Sequence, residues 1–146
     1  MVQALIITFL SINITVGYVV ASVLFRYLEA GVAGKIMGHL FSGLYLVDIL
    51  ILLTVLLICF LRKRHGFQKQ GLLLASLALI IGNAFYVSPI MVQLKLAGGT
   101  VQVFGMSFSG WHAVSQIIFM LALGFVLIWW LFVYSKTYST SIDKGI

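Results

Sequence analysis

The chain has 146 residues, 62% of them hydrophobic and only 8% charged, with a formal net charge of +6. A chain so poor in charge cannot be water-soluble and belongs in a lipid bilayer. The basic excess does not point to nucleic acid, because its main cluster borders an apolar span and has no aromatic platform beside it; anionic lipid headgroups are its expected contact.

Four apolar runs follow in order: Val2 to about Tyr27, Ile36 to Leu61, Gly71 to about Val92, and about Ser107 to Tyr134. Each exceeds the roughly 20 apolar residues that a spanning helix needs. Hydrocarbon forces the backbone to satisfy its own hydrogen bonds, and the unbroken, non-alternating pattern suits helices rather than barrel strands. The expected fold class is all-α, an integral membrane four-helix bundle formed as a single domain over 1–146.

The first run lacks the basic start of a signal peptide and is too long for one, so it is read as a retained helix. Asn13-Ile14-Thr15 fits the glycosylation pattern but sits mid-helix, out of a transferase's reach, and is taken as a chance match. Thr8, Ser11, Thr15, Tyr18 and Ser22 recur at three- and four-residue steps, which stacks them on one face expected to turn toward the bundle interior. In the second run Gly34, Gly38 and Ser42 form a small-residue stripe suited to close backbone approach. The same run holds the single cysteine, Cys59, which makes no intramolecular disulfide and leaves the redox compartment open. Ser76, Asn83, Tyr86 and Gln93 give the third run a polar face, and Pro89 predicts a kink or a helix end. Gly98 and Gly99 are expected to turn the chain, and Gly105, Ser109 and Ala113 repeat the small-residue device at the start of the fourth run.

Orientation follows from lysine and arginine placement. Arg62, Lys63, Arg64 and Lys69 lie between the second and third runs, and Lys136 and Lys144 join them in the tail; Arg26, Lys35 and Lys95 fall on the opposite side. Six against three favours both termini in the cytoplasm. Arg62, Lys63, Arg64 and Lys69 are the expected headgroup contacts. Trp129, Trp130, Tyr134 and Tyr138 are read as the cytoplasmic aromatic belt, and Phe104, Phe108 and Trp111 as the outer one.

Reaction-centre motifs are missing: no His-Glu-x-x-His, Cys-x-x-Cys, phosphate loop or nucleophile elbow occurs, so no enzyme activity is expected. Three polar residues invite a site. Asp48 lies midway along the second run, where an ionised carboxylate costs roughly 2.5 to 3.5 kcal/mol on insertion scales. With no lysine or arginine at its depth, it is expected either to carry its proton or to be bonded to Asn83, Asn13 or Tyr18. It is then a proton or cation relay or a lock between helices. His39 and His112 each fall about one turn inside the outer end of their runs, which permits a haem or metal clamped between helices, or an interfacial hydrogen bond for each. Met37, Met91 and Met106 near that level suit a soft metal such as copper. His65, in the basic loop, is read as solvated.

Several segments resemble a known family. Val16-Gly17-Tyr18, Leu24-Phe25, Ala33-Gly34-Lys35-Ile36, Gly38 and Leu40-Phe41, then Asn83, Pro89 and Leu94-Lys95, then Trp111-His112-Ala113-Val114-Ser115-Gln116 look like the small bacterial membrane proteins grouped with human transmembrane protein 205. The resemblance covers nearly the whole chain, with its His-x-x-Ser signature opening the last helix. It implies a four-helix domain in the bacterial inner membrane without an established activity. His112, Ser115 and Gln116 match the signature and become the leading site candidates, whereas His39 and Asp48 fall where the family pattern is variable. Ser22 stands where relatives often have proline, which puts in doubt a kink in the first helix. Copper-resistance and haem-oxidising small membrane proteins carry a histidine near the start of the first helix that this chain lacks.

Physically, His112, Ser115 and Gln116 share one helix face and would build a polar pocket open to Asn83 or Gln93, or to the Ser22 and Arg26 end of the first helix. The leading functional expectation is a non-enzymatic accessory, assembly or regulatory component of a membrane complex. Its partners would be lipid and other membrane proteins or copies of itself, and no cofactor is required. Two alternatives stand beside it: a haem b or metal protein using His112 and His39, and a small solute or proton-coupled transporter centred on Asp48.

Overall fold

The computed structural model describes residues 1–61, 70–98 and 101–142, with side chains as far as Val133. The expected headgroup contacts Arg62, Lys63, Arg64 and Lys69, together with His65, Gly99 and Lys144, lie outside the described residues, as do the side chains of Tyr134, Lys136 and Tyr138.

Four helices are long and apolar enough to cross a membrane: α1 (Val2–Tyr27), α2 (Ala30–Leu61), α3 (Gly71–Leu96) and α4, whose apolar part is Phe108–Val133 and which continues to Ile142. At 1.5 Å per residue, the shortest of these, 26 residues, extends about 39 Å, more than the roughly 30 Å of hydrocarbon. Among the described residues there is no strand, only an isolated bridge between Val103 and Met106. The molecule divides into two compact units, Met1–Val55 and Leu56–Ile146.

In the first unit α1 and α2 form a helical hairpin. Leu28 leaves the helix in an extended conformation while its N–H still bonds to Leu24 O at 2.9 Å. One residue later the Glu29 carbonyl accepts the Ala33 N–H at 2.9 Å and starts α2, with the Glu29 carboxylate at the positive end of the new helix dipole. The second helix therefore begins at Ala30, six residues before hydropathy alone placed it. Gly31, Gly34 and Lys35 lower the local hydropathy without breaking the helix, because a membrane helix can run past the hydrocarbon boundary. α1 passes through a π-helical stretch at Thr15–Val20, around Gly17. Its buried residues are Ile6, Phe9 and Asn13, and Asn13 meets Asp48, which is buried on α2.

The polar stripe of α1 does not turn inward as expected. Thr8, Ser11, Thr15, Tyr18 and Ser22 are all exposed. A serine or threonine hydroxyl can bond the carbonyl one turn back, as Ser22 Oγ does with Tyr18 O, so an outward hydroxyl costs a membrane helix little and hydropathy cannot tell the two faces apart.

In the second unit α3 continues through Pro89 to Leu96 instead of ending near Val92. Directly upstream lies a π-helical segment, Asn83–Val87. Proline lacks an N–H and its ring crowds the carbonyl four residues back; a widened turn before it gives the ring room, the usual setting for such bulges. Gly98, at φ +63°, closes the helix in the left-handed conformation that glycine adopts without a Cβ penalty, and its N–H bonds to Lys95 O at 3.3 Å.

Before α4 the chain makes a two-residue turn. Val103 and Met106 exchange both backbone bonds at 3.1 Å, and Phe104 and Gly105 between them have φ +52° and +73°, the pair of positive angles that a type I′ turn requires. Gly105 thus belongs to this turn and not to a small-residue helix face. Trp111 anchors the turn: its indole Nε1 donates to Val103 O at 3.1 Å, and it forms a buried cluster with Val87 and Leu94, against which Ile90, Met91, Val103, Met106 and Ile118 pack. Trp111 is 6% exposed and Trp129 2%, so both are core residues and not belt residues; Phe104 and Phe108 are exposed as expected.

Candidate polar sites

The expected candidates fall into three separate groups. In the first unit Asn13 and Asp48, each 0% exposed, meet near the middle of their helices. The Asn13 amide Nδ2 donates one hydrogen to Phe9 O at 2.8 Å and the other to Asp48 Oδ1 at 2.7 Å. Of the three partners proposed for Asp48, the bond is to Asn13. The other two acceptors, Asn13 Oδ1 and Asp48 Oδ2, are buried and meet no donor among the described residues.

The second group pins α3 to α4. Ser115 Oγ donates to Asn83 Oδ1 at 2.9 Å, and Asn83 Nδ2 donates to Ser115 O at 3.1 Å, a reciprocal pair. Ser76 Oγ donates to Ala122 O at 2.9 Å. Ser76 precedes Asn83 by seven residues, and Ser115 precedes Ala122 by seven, so the two contacts run in opposite order along antiparallel helices. A seven-residue repeat returns to the same side of a helix, and two polar pins in step fix the register of the pair. Asn83, one of the partners expected near Ser115, does meet it; the Ser76 contact is not expected from the sequence, because its acceptor is the backbone carbonyl of Ala122 and leaves no trace in residue type. Tyr86 and Gln93, placed on the same face, are exposed.

His112, Ser115 and Gln116 do not form one pocket. Ser115 is buried against Asn83, whereas His112 and Gln116 are exposed. Gln116 Nε2 donates to His112 Nε2 at 3.2 Å, and the imidazole stacks on Phe108 at 6.0 Å between ring centroids. One residue along a helix rotates the side chain by about 100°, which is enough to carry Ser115 inward and Gln116 outward. His39 is exposed too, with Nδ1 donating to Lys35 O at 2.9 Å. Each imidazole is thus engaged along its own helix, and for His112 the nitrogen that accepts from Gln116 is one a metal would need. Among the described residues no three His, Cys, Asp or Glu side chains gather in a set able to hold a metal. Met37 is buried in the first unit, and Met91 and Met106 pack around Trp111 in the second.

Four helices of this length and hydropathy, with polar pins between neighbours, fit a membrane protein of the all-helical class. The chain belongs to the family described as "Domain of unknown function (DUF4149)", whose model matches residues 4–100. The matched stretch contains Asn13, Asp48, Ser76 and Asn83 and stops short of the Trp111 to Gln116 segment. Neither the curated proteins nor the solved structures contain a match.

Proposed function

We propose that the chain is a non-enzymatic multi-pass protein of the bacterial inner membrane that serves as an accessory, assembly or regulatory component of a membrane complex, docking through α1. The observation that carries this reading is the outward stripe of Thr8, Ser11, Thr15 and Ser22. Hydroxyls and small side chains are enriched where membrane helices contact one another, since packing and interhelical hydrogen bonds replace the missing hydrophobic drive. On α2 the exposed Gly31, Gly38 and Ser42 add a second surface of the same kind, and a Cβ built at Gly31 or Gly38 meets nothing within 4 Å.

Photo-crosslinking in native membranes tests the reading. A photoreactive residue at Ser11 or Thr15 is expected to capture another membrane protein or a second copy of the chain at high yield, whereas one at Leu50, an exposed apolar position on α2 at 65% exposure, is expected to capture mainly lipid. Equal, low protein capture at all three positions would overturn the proposal.

A further inference from the structure

The Asn13–Asp48 contact is the one buried polar contact described here that its own two residues leave open. Asn13 has spent both amide hydrogens, on Phe9 O and on Asp48 Oδ1. Those two bonds also fix which end of the amide is which, because a flipped side chain would set its oxygen against two acceptors. Asn13 Oδ1 is therefore an acceptor, and so is an ionised Asp48 Oδ2, and among the described residues both are buried without a donor. Buried acceptors of this kind are rare in native structures and call for an explanation.

One hydrogen answers for both atoms. An amide and a carboxylic acid are planar groups of matching shape; with the amide N–H already on Oδ1, an O–H on Oδ2 turned to the amide oxygen would complete a cyclic acid–amide pair. We propose that Asp48 and Asn13 form a proton-binding site at the middle of the membrane, in which Asp48 takes up one proton on Oδ2 and hands that hydrogen to Asn13 Oδ1. The step balances simply: a carboxylate and a proton from water give a neutral acid, one O–H bond forms, and release of the proton restores the carboxylate with no other reactant.

The surroundings favour a proton over a resident cationic side chain. In this unit Arg26, Lys35 and His39 are all exposed, as is the carboxylate of Glu29. The phenol of Tyr45, one turn before Asp48, is buried and its ring packs on Phe41 at 5.9 Å, and Tyr18 on α1 is exposed. A metal cation would seek several oxygen ligands in a shell around it, and among the described residues Asn13 Oδ1 and Asp48 Oδ2 are the buried side-chain oxygens that lack a partner. The site is separate from the docking surface, which lies on the outward face of α1, so either inference can fail without the other.

Infrared spectroscopy of the full chain in phosphatidylethanolamine–phosphatidylglycerol vesicles reads the proton directly. The sequence holds only two aspartates, Asp48 and Asp143, so an Asp143→Asn variant grown with carboxyl-13C aspartate reports on Asp48 alone. At neutral pH the expected spectrum has an isotope-shifted carbonyl band of a neutral carboxylic acid, which moves down in D2O and moves to higher frequency in Asn13→Leu, where the carbonyl loses the hydrogen bond it accepts from the amide. A labelled carboxylate band with no acid band would overturn the proposal. So would an acid band that disappears when sodium replaces choline at constant ionic strength, which would mean a metal ion occupies the site. Asp48→Asn supplies an independent arm: its amide can donate to Asn13 Oδ1 as the acid does, so its melting temperature is expected to match wild type. Asp48→Leu is expected to melt lower. A fall with Asp48→Asn as large as with Asp48→Leu would also refute the neutral pair.

Discussion

Asn83 offers the sharpest test of how the α3–α4 pair is held. Its side chain takes part in two bonds to Ser115, accepting from Oγ at 2.9 Å and donating to the backbone carbonyl at 3.1 Å. Ser115→Ala removes the first and leaves the second, since the carbonyl remains; Asn83→Ala removes both. Interhelical hydrogen bonds in membranes average about 0.6 kcal/mol in double-mutant cycles, with a maximum near 1.7. Ser115→Ala is therefore expected to cost about 0.6 kcal/mol and Asn83→Ala about 1.2 kcal/mol, plus whatever packing the shorter side chain gives up. The double variant should cost little more than Asn83→Ala alone, with a coupling of about 0.6 kcal/mol. Equilibrium unfolding in mixed micelles, titrating denaturing detergent, supplies the three values. Equal costs for the two single variants, or costs that simply add in the double variant, would show that the reciprocal bond does not act as a unit.

Phe104 holds φ +52° while its ring lies against Trp111 at 6.3 Å between centroids, so Phe104→Gly exchanges roughly 1 kcal/mol of left-handed strain for an aromatic contact of about 0.5–1.5 kcal/mol and should leave the unfolding midpoint nearly unchanged; Gly105→Ala, at φ +73°, should lower it by about 1 kcal/mol. Trp111→Phe keeps an aromatic ring in the cluster but loses the Nε1 bond to Val103 O, a cost of about 1 kcal/mol that the same titration would read. Ser11→Leu combined with Thr15→Leu should leave the stability of the isolated chain within about 0.5 kcal/mol, as exposed substitutions usually do, while abolishing the crosslinks of the docking surface; unchanged crosslinking would count against α1 as the interface.

The existence of four spanning helices was legible because apolar length is a property of composition that no tertiary contact can reverse. Helix ends were legible only where polarity and conformation change together: Tyr27 and Gly71 match, whereas Ala30 and Leu96 lie beyond a glycine-rich stretch and a proline that lower hydropathy or helix propensity without ending the helix. The buried roles of Asp48, Asn83 and Ser115 could be anticipated because their cost in hydrocarbon demands a partner. The outward face of α1 could not. Serine and threonine satisfy themselves on their own helix, so their spacing names a face without saying which way it points. Trp111 was misread for a related reason. An indole suits an interface and a core equally well provided its N–H has an acceptor, and here the acceptor is created by a turn at 103–106 that no apolar run announces.

The two buried asparagines show what an ionisable partner adds. Asn83 and Ser115 close on each other with groups that hold no charge at any ordinary pH, and the contact is complete without help from outside. Asn13 and Asp48 occupy the same kind of place, mid-helix and fully buried, yet one member can change its charge. If holding α1 to α2 were the whole task, asparagine at position 48 would do it with matched donors and acceptors and without the risk of a bare carboxylate in hydrocarbon. Aspartate makes sense where the hydrogen between the helices is meant to come and go. On the proposed site, proton loss would leave a carboxylate that keeps the Asn13 Nδ2–H bond on Oδ1 but has no donor for Oδ2 among the described residues, an incompletely paired buried charge whose cost weighs against the packed hairpin. Proton occupancy and α1–α2 packing are thereby linked, so any partner that binds one packing better than the other must shift the proton affinity of Asp48 by the same free energy.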